Sequence, residues 1–378
     1  MANPLKTTSA PTPAIGKEKE QEETEETTPK EAMMAIAAEP VNLLADMHAA
    51  AMVFPPTFEN FFNDLTLNRC PHLLCYDHTR VVLNDDLDKG NYYNASFVDS
   101  YKNKGGYVFS QAPFNDRTTG DFWRLVINVK PSIIIVMGSI DEAQGNKVAA
   151  FNVEIDNPEW SNKFLALYGA SSLDDATSKL HIPKYFWPME AGATSKFCKE
   201  KTIQVKLESI NNDRHMNTYN LVVTAKKETN NLALVHFHQW MDESPLPEYI
   251  SDLRAMVKIT MVRKAKNPGA FKGPMLLVCP TGINRCGSYA ALDIVTARIA
   301  DERNVGVRET MIAIKSQRYG CFRSVDHYQI IREILLRTCI TSGVAHDEAI
   351  GEKLPSKKQQ KKKKASRVSK KPKMFKKT

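Results

Sequence analysis

The chain has 378 residues, 42% hydrophobic and 25% charged, long enough to bury a sizeable core without disulfides. Its net charge of +8 is uneven: residues 353–378 hold thirteen Lys/Arg and no Asp/Glu, so the rest carries −5, which excludes a basic nucleic-acid-binding body. Seven cysteines (Cys70, Cys75, Cys198, Cys279, Cys286, Cys321 and Cys339) form no CxxC pair and no Cys/His zinc spacing; they read as reduced thiols in a cytosolic-type compartment.

Residues 1–40, rich in Thr, Pro, Lys and Glu, lack the apolar content to offset the entropy of ordering and are expected to be disordered. They contain no secretory h-region, and no apolar run in the chain is long enough to span a bilayer. A domain is expected over 41–342. It begins with a short helix at 41–52 and continues through strands at 93–98, 106–111, 132–139, 201–208, 218–225, 232–237 and 275–278. Helices are predicted at 119–129, 247–263, 286–303, 308–317 and 326–338. Strands first and helices gathered late argue for an α+β (α/β) domain, a twisted mixed sheet flanked by helices. Residues 343–378 form a Lys-rich tail whose like charges keep it extended.

The chemistry concentrates after the last predicted strand, in Cys279-Pro280-Thr281-Gly282-Ile283-Asn284-Arg285-Cys286. A strand, a short loop and a helix start turn backbone N–H groups toward one point and make an anion cradle. Helix and loop dipoles favour a thiolate at its floor. An arginine six residues after the cysteine reaches back to grip two oxygens of a tetrahedral anion. Nucleophile plus clamp is the set a phospho-cysteine mechanism requires.

This loop and other segments, in order, resemble the cysteine-dependent protein-tyrosine phosphatase family. Asn68-Arg69-Cys70 with Tyr76 to Val81 is similar to the family's phosphotyrosine loop and the strand after it. Asn91 to Asp99, Ser110-Gln111-Ala112-Pro113, Asp121-Phe122-Trp123-Arg124, Tyr185-Phe186-Trp187-Pro188 and His236-Phe237-His238 match further hallmarks. The resemblance covers residues 55–340 and implies the protein-tyrosine phosphatase fold. It also implies Cys279 as nucleophile, Arg285 as phosphate clamp, residues 280–284 and 286 as phosphate-binding loop, and neither metal nor organic cofactor.

Departures fall on the functional positions. Val278 stands where the family has His, removing a polar support of a low thiol pKa. Pro280 has no N–H to give the cradle. Asn284 stands where glycine is common. Cys286 replaces a hydroxyl that helps the thiolate leave, and a thiol is a weak donor. The general acid is Asp242 if aligned from Trp240, or Glu243 if aligned back from Pro247-Glu248. Cys70 occupies the place of the tyrosine that stacks on the substrate ring, and His72 that of a nearby carboxylate. His327 takes the place of a glutamine that positions water.

Two functions follow from the resemblance. One is a phosphatase acting on phosphotyrosine-containing proteins with reduced efficiency; the other is a pseudophosphatase that binds phosphoproteins without turnover. A cytoplasmic location is expected. The tail reads as a solubilising end, as a nuclear-localisation or nucleic-acid patch on Lys361–Lys364 and Lys370–Lys371, or as a contact for acidic lipid.

Overall fold

The computed structural model describes residues 56–70, 73–140, 182, 184–198, 202–240, 249–302, 306–322, 328, 331–335 and 337. Nine strands form one sheet. In chain order they are β1 (Arg80–Val82), β2 (Tyr92–Val98), β3 (Tyr107–Gln111), β4 (Pro131–Met137), β5 (Thr194–Phe197), β6 (Ile203–Asn212), β7 (Met216–Ala225), β8 (Glu228–Phe237) and β9 (Gly273–Cys279). Their spatial order is β1-β2-β3-β9-β4-β8-β7-β6-β5. The four central strands β3, β9, β4 and β8 are parallel, and the strands outside them are antiparallel. The helices are α1 (Glu59–Asn63), α2 (Asp116–Val129), α3 (Ile250–Ala265), α4 (Asn284–Glu302) and α5 (Val307–Gln317), with a 3-10 turn at Leu65–Leu67.

The central strands are continuous apolar runs because both faces are covered. In β4 the alternation sorts Ile133, Ile135 and Met137 into a core with α3, α4 and α5, and Ile134 and Val136 into a second core with α2. The same rule divides β9: Leu277 and Cys279 face the α4 side, Leu276 and Val278 the α2 side. Val278 therefore packs on the opposite face of the sheet from the cysteine it precedes. Of the central strands, β3 is followed by α2 on one face, and β8 and β9 are followed by α3 and α4 on the other. A crevice at the carboxyl ends of the strands is the place where such sheets bind ligands.

Local chemistry sets the helix bounds. The Asn115 side chain accepts from Thr118 N–H at 2.8 Å, completing a reciprocal cap that starts α2 three residues before the predicted helix. Along the first half of α4, Cys286, Gly287, Ser288, Ala290 and Ala291 are small and buried, which lets the helix lie close to its neighbours. The β6–β7–β8 meander has ten residues in each strand and runs past the predicted ends, because its outer positions are polar and exposed. Strands β1 and β5 and helix α1 are additions to the predicted elements, β1 lying where the family resemblance implied a strand after the segment at Asn68, and residues 331–335 of the predicted last helix are helical. The predicted helix at 41–52 lies outside the described residues. Among the described residues no helix is long and apolar enough to cross a membrane.

Candidate active site

Strand β9 delivers Cys279 to the sheet's carboxyl edge, 1% exposed. Its carbonyl accepts from Ala112 N–H (2.9 Å) and Gly282 N–H (3.1 Å), which folds the loop back onto the end of β3. Gly282 has φ +68°, and a Cβ there would sit 2.5 Å from the Gln111 nitrogen, so residue and backbone approach both require glycine. Ile283 O then accepts from Gly287 N–H at 2.7 Å as α4 begins. Pro280, Thr281, Gly282, Ile283 and Arg285 are buried; Asn284 is half-buried.

The cysteine sulfur is surrounded by donors. Cys286 Sγ lies 3.4 Å from Cys279 Sγ, and Thr281 Oγ1 lies 3.8 Å from it. Burial alone would push the Cys279 thiol up. Donation from the Cys286 thiol, the Arg285 charge, the Cys286 N–H and the Thr281 hydroxyl outweigh burial and bring it down to about 5. Cys286 itself is driven the other way, by burial first and then by its bond to Cys279, so it stays protonated and able to donate. Its single S–H is also 3.4 Å from Leu277 O, and the Cys279 thiolate is the stronger of the two acceptors. The thiol that replaces the expected hydroxyl thus stands in hydrogen-bonding position, and a low thiol pKa arises with Val278 in the preceding position.

Arg285 sits on the first turn of α4 and donates from Nη1 to Met137 O at the end of β4 (3.1 Å). Beside that carbonyl, His236 of β8 bonds Gly138 O through Nε2 at 2.8 Å. Burial pulls His236 down to about 4, so it is neutral near pH 7 and Nε2 carries the proton it donates.

Behind the loop lies a buried polar frame. Arg318, fully buried at the end of α5, donates from Nε to Gly282 O (3.0 Å), from Nη2 to Asn94 Oδ1 (2.7 Å) and from Nη1 to Ser96 Oγ (3.1 Å). Asn94 Nδ2 and Tyr92 O–H both reach Asn68 Oδ1 (2.8 and 2.6 Å), and Gln111 Oε1 accepts from Arg69 N–H at 2.9 Å. The quoted segments around Asn68, Asn94 and Gln111 thus meet as one scaffold. Burial lowers the Arg69 guanidinium to about 10, with Cys70 and Cys279 raising it, so it remains a cation near Cys279 at pH 7. Neither Arg318 nor Gly138 belongs to a sequence motif quoted above, and His236 belongs to one only as part of His236-Phe237-His238. A basic residue closing the amphipathic pattern of 308–317 was the available signal for the first.

The remaining candidates are placed unevenly. Cys70 is buried at 2% exposure in the core that also holds Cys279, rather than on an open wall. Trp240 packs in that same core. Asp242, Glu243, His72 and His327 lie outside the described residues.

A sequence model described as protein-tyrosine phosphatase matches residues 64–169 and 170–337. Receptor-type tyrosine-protein phosphatase F of Mus musculus is 25% identical over 303 residues, 79% of this chain and 13% of that protein. Receptor-type tyrosine-protein phosphatase C of Homo sapiens is 26% identical over 273 residues, 71% of this chain and 18% of that protein. The chain therefore spans less than a fifth of the length of these curated relatives. The crystal structure of the catalytic domain of human protein tyrosine phosphatase non-receptor type 18 superposes with a TM-score of 0.60 at 17% identity, covering 80% of this chain and 96% of that one, a likeness of fold.

Proposed function

This chain belongs to the protein-tyrosine phosphatase family, and we propose on that premise that it hydrolyses phosphotyrosine on proteins through a phospho-cysteine intermediate. Cys279 thiolate attacks phosphorus, the bond to the tyrosine oxygen breaks, and Asp242 or Glu243 protonates the departing phenolate. Water then attacks the phosphocysteine, the sulfur leaves as thiolate, and the Cys286 S–H stabilises the charge returning to it. Arg285 and the N–H groups after Pro280 hold the phosphoryl oxygens, and His327 positions the water. The observation that carries this reading is the Cys279 sulfur ringed by the Cys286 and Thr281 donors. No metal or organic cofactor enters the scheme.

A second reading, a phosphoprotein-binding module without turnover, is favoured by the burial of Cys70, which takes away an aromatic wall worth about 1 kcal/mol of stacking. Hydrolysis of an aryl phosphate and of phosphotyrosine peptides, measured beside folded Cys279→Ser, separates the two. Turnover abolished in the variant supports the enzyme; no turnover in the native chain, with peptide binding retained, supports the binder.

We further propose a domain over 41–342 between extended ends, acting in the cytoplasm. The tail at 353–378 would meet nucleic acid, acidic lipid or the nuclear import machinery through charge.

A further inference from the structure

The peptide joining Met137 to Gly138 has a construction that the chemistry above does not use. Gly138 follows the last residue of β4 with φ +133°, a region L side chains rarely adopt. A Cβ built on it would overlap Arg285 Nη1 and lie 3.3 Å from Arg285 Cζ. The guanidinium thus occupies the volume that a side chain at 138 would fill, and from there Nη1 reaches Met137 O. Strand β8 pins the seat from both sides. Gly138 N–H donates to Phe237 O at 3.0 Å, and buried His236 donates from Nε2 to Gly138 O at 2.8 Å.

A guanidinium held through Nη1 loses part of its freedom to rotate, so it is oriented before a ligand arrives. We propose that Gly138, held by His236, is a positioning residue for Arg285, its bare Cα leaving the space in which the guanidinium rests on the Met137 carbonyl within reach of Cys279. The proposal rests on Arg285 being the oxyanion clamp. It assigns His236 a task in the ground state: its N–H fixes the Gly138 backbone beside the Met137 carbonyl on which Arg285 rests.

The test uses the full chain, with two readouts: the pH midpoint of Cys279 alkylation by iodoacetate, and the dissociation constant for orthovanadate. Gly138→Ala is expected to unseat Arg285, raise the alkylation midpoint and weaken vanadate about tenfold, the order of one charge-assisted hydrogen bond. In an Arg285→Lys background, the same Gly138→Ala change should alter either readout less than about twofold, because the group it acts through is gone. Should Gly138→Ala not fold, His236→Leu reads the same seat without disturbing φ, and His236→Gln, which keeps an N–H at the Nε2 position, should restore native values. Equal effects of Gly138→Ala or His236→Leu in both backgrounds, or none in the native background, overturn the proposal. Vanadate binding untouched by Arg285→Lys instead overturns the clamp assignment itself, and the alkylation midpoint then still reports whether Gly138 governs Arg285.

Discussion

The two sides of the phosphate loop have followed different courses. On the inner side, Asn68, Asn94, Ser96, Gln111 and Arg318 form a buried network in which each named side chain has a partner, and Arg318 holds the loop carbonyl of Gly282. On the other side stand the departures from the family's pattern: proline after Cys279, a thiol in place of a hydroxyl at Cys286, and a buried Cys70 in place of a ring. The inner network is intolerant because a buried polar group without its partner costs more than the bond it made. The hydrogen bonds of the inner network run through Asn68, Asn94, Ser96, Gln111 and Arg318 and not through the Pro280 or Cys286 side chain, so exchanges at those two positions leave the frame's bonds in place. The frame that shapes the loop is thus distinct from the side chains that line it.

The sharpest way to break this comparison is at Arg318. Removing a fully buried guanidinium that joins the loop, β2 and α5 leaves Asn94 and Ser96 without their donor. Arg318→Ala should destabilise the fold by about 3–5 kcal/mol, read by urea denaturation. A loss under about 1 kcal/mol would show that the frame is not what holds the loop.

Val278→His restores a family side chain but places it on the α2 face, among Val136, Leu276 and Phe122. We expect a loss of about 1–3 kcal/mol from burying an imidazole without a designed partner there. Unchanged stability with a lower Cys279 alkylation midpoint would mean that the imidazole finds its way to the loop.

Cys286→Ala tests the exchanged thiol. It removes one donor from the Cys279 sulfur, and the alkylation midpoint should move up from about 5. Stability follows with a definite sign. The folded pKa of Cys279 lies below its ordinary value near 9, so the thiolate's contribution is full above about 9 and is lost as pH falls through about 5. The stability difference between the native chain and Cys279→Ser should therefore shrink as pH falls across that window, and shrink less in a Cys286→Ala background.

Deleting residues 353–378 should have the smallest effect on the fold. The melting temperature should stay within about 1 °C, while retention on heparin falls at low salt and the difference fades at high salt. A large drop in melting temperature would show that the tail packs on the domain.

How far the sequence foretold this division depends on the range of the interactions. The central strands were legible because β4 and β9 are apolar along their length, and Cys279 and Arg285 because their spacing is local. Strand β5, Thr-Ser-Lys-Phe, carries too few apolar residues to stand out, and its place depends on pairing with β6. Arg318 and Gly138 act across 36 and roughly 150 residues of chain, so no periodicity could join them to the loop. Cys286 stands out in the sequence as a thiol beside Arg285, yet its worth depends on a 3.4 Å approach between two sulfurs that spacing cannot supply. The burial of Cys70 depends on packing against residues far along the chain, in the core that also holds Leu277 and Tyr289, which local sequence does not reveal.

In the proposed reaction the Cys279 thiolate carries a phosphoryl group between its two steps. Rapid-quench mixing of the full chain with a radiolabelled phosphotyrosine peptide tests it most directly. We predict acid-stable label on the protein at Cys279, absent in Cys279→Ser and longer-lived in Cys286→Ala, whose leaving thiolate has lost a donor. Peptide bound at saturation with no label transferred to the native chain, at any time or pH between about 5 and 8, would contradict it.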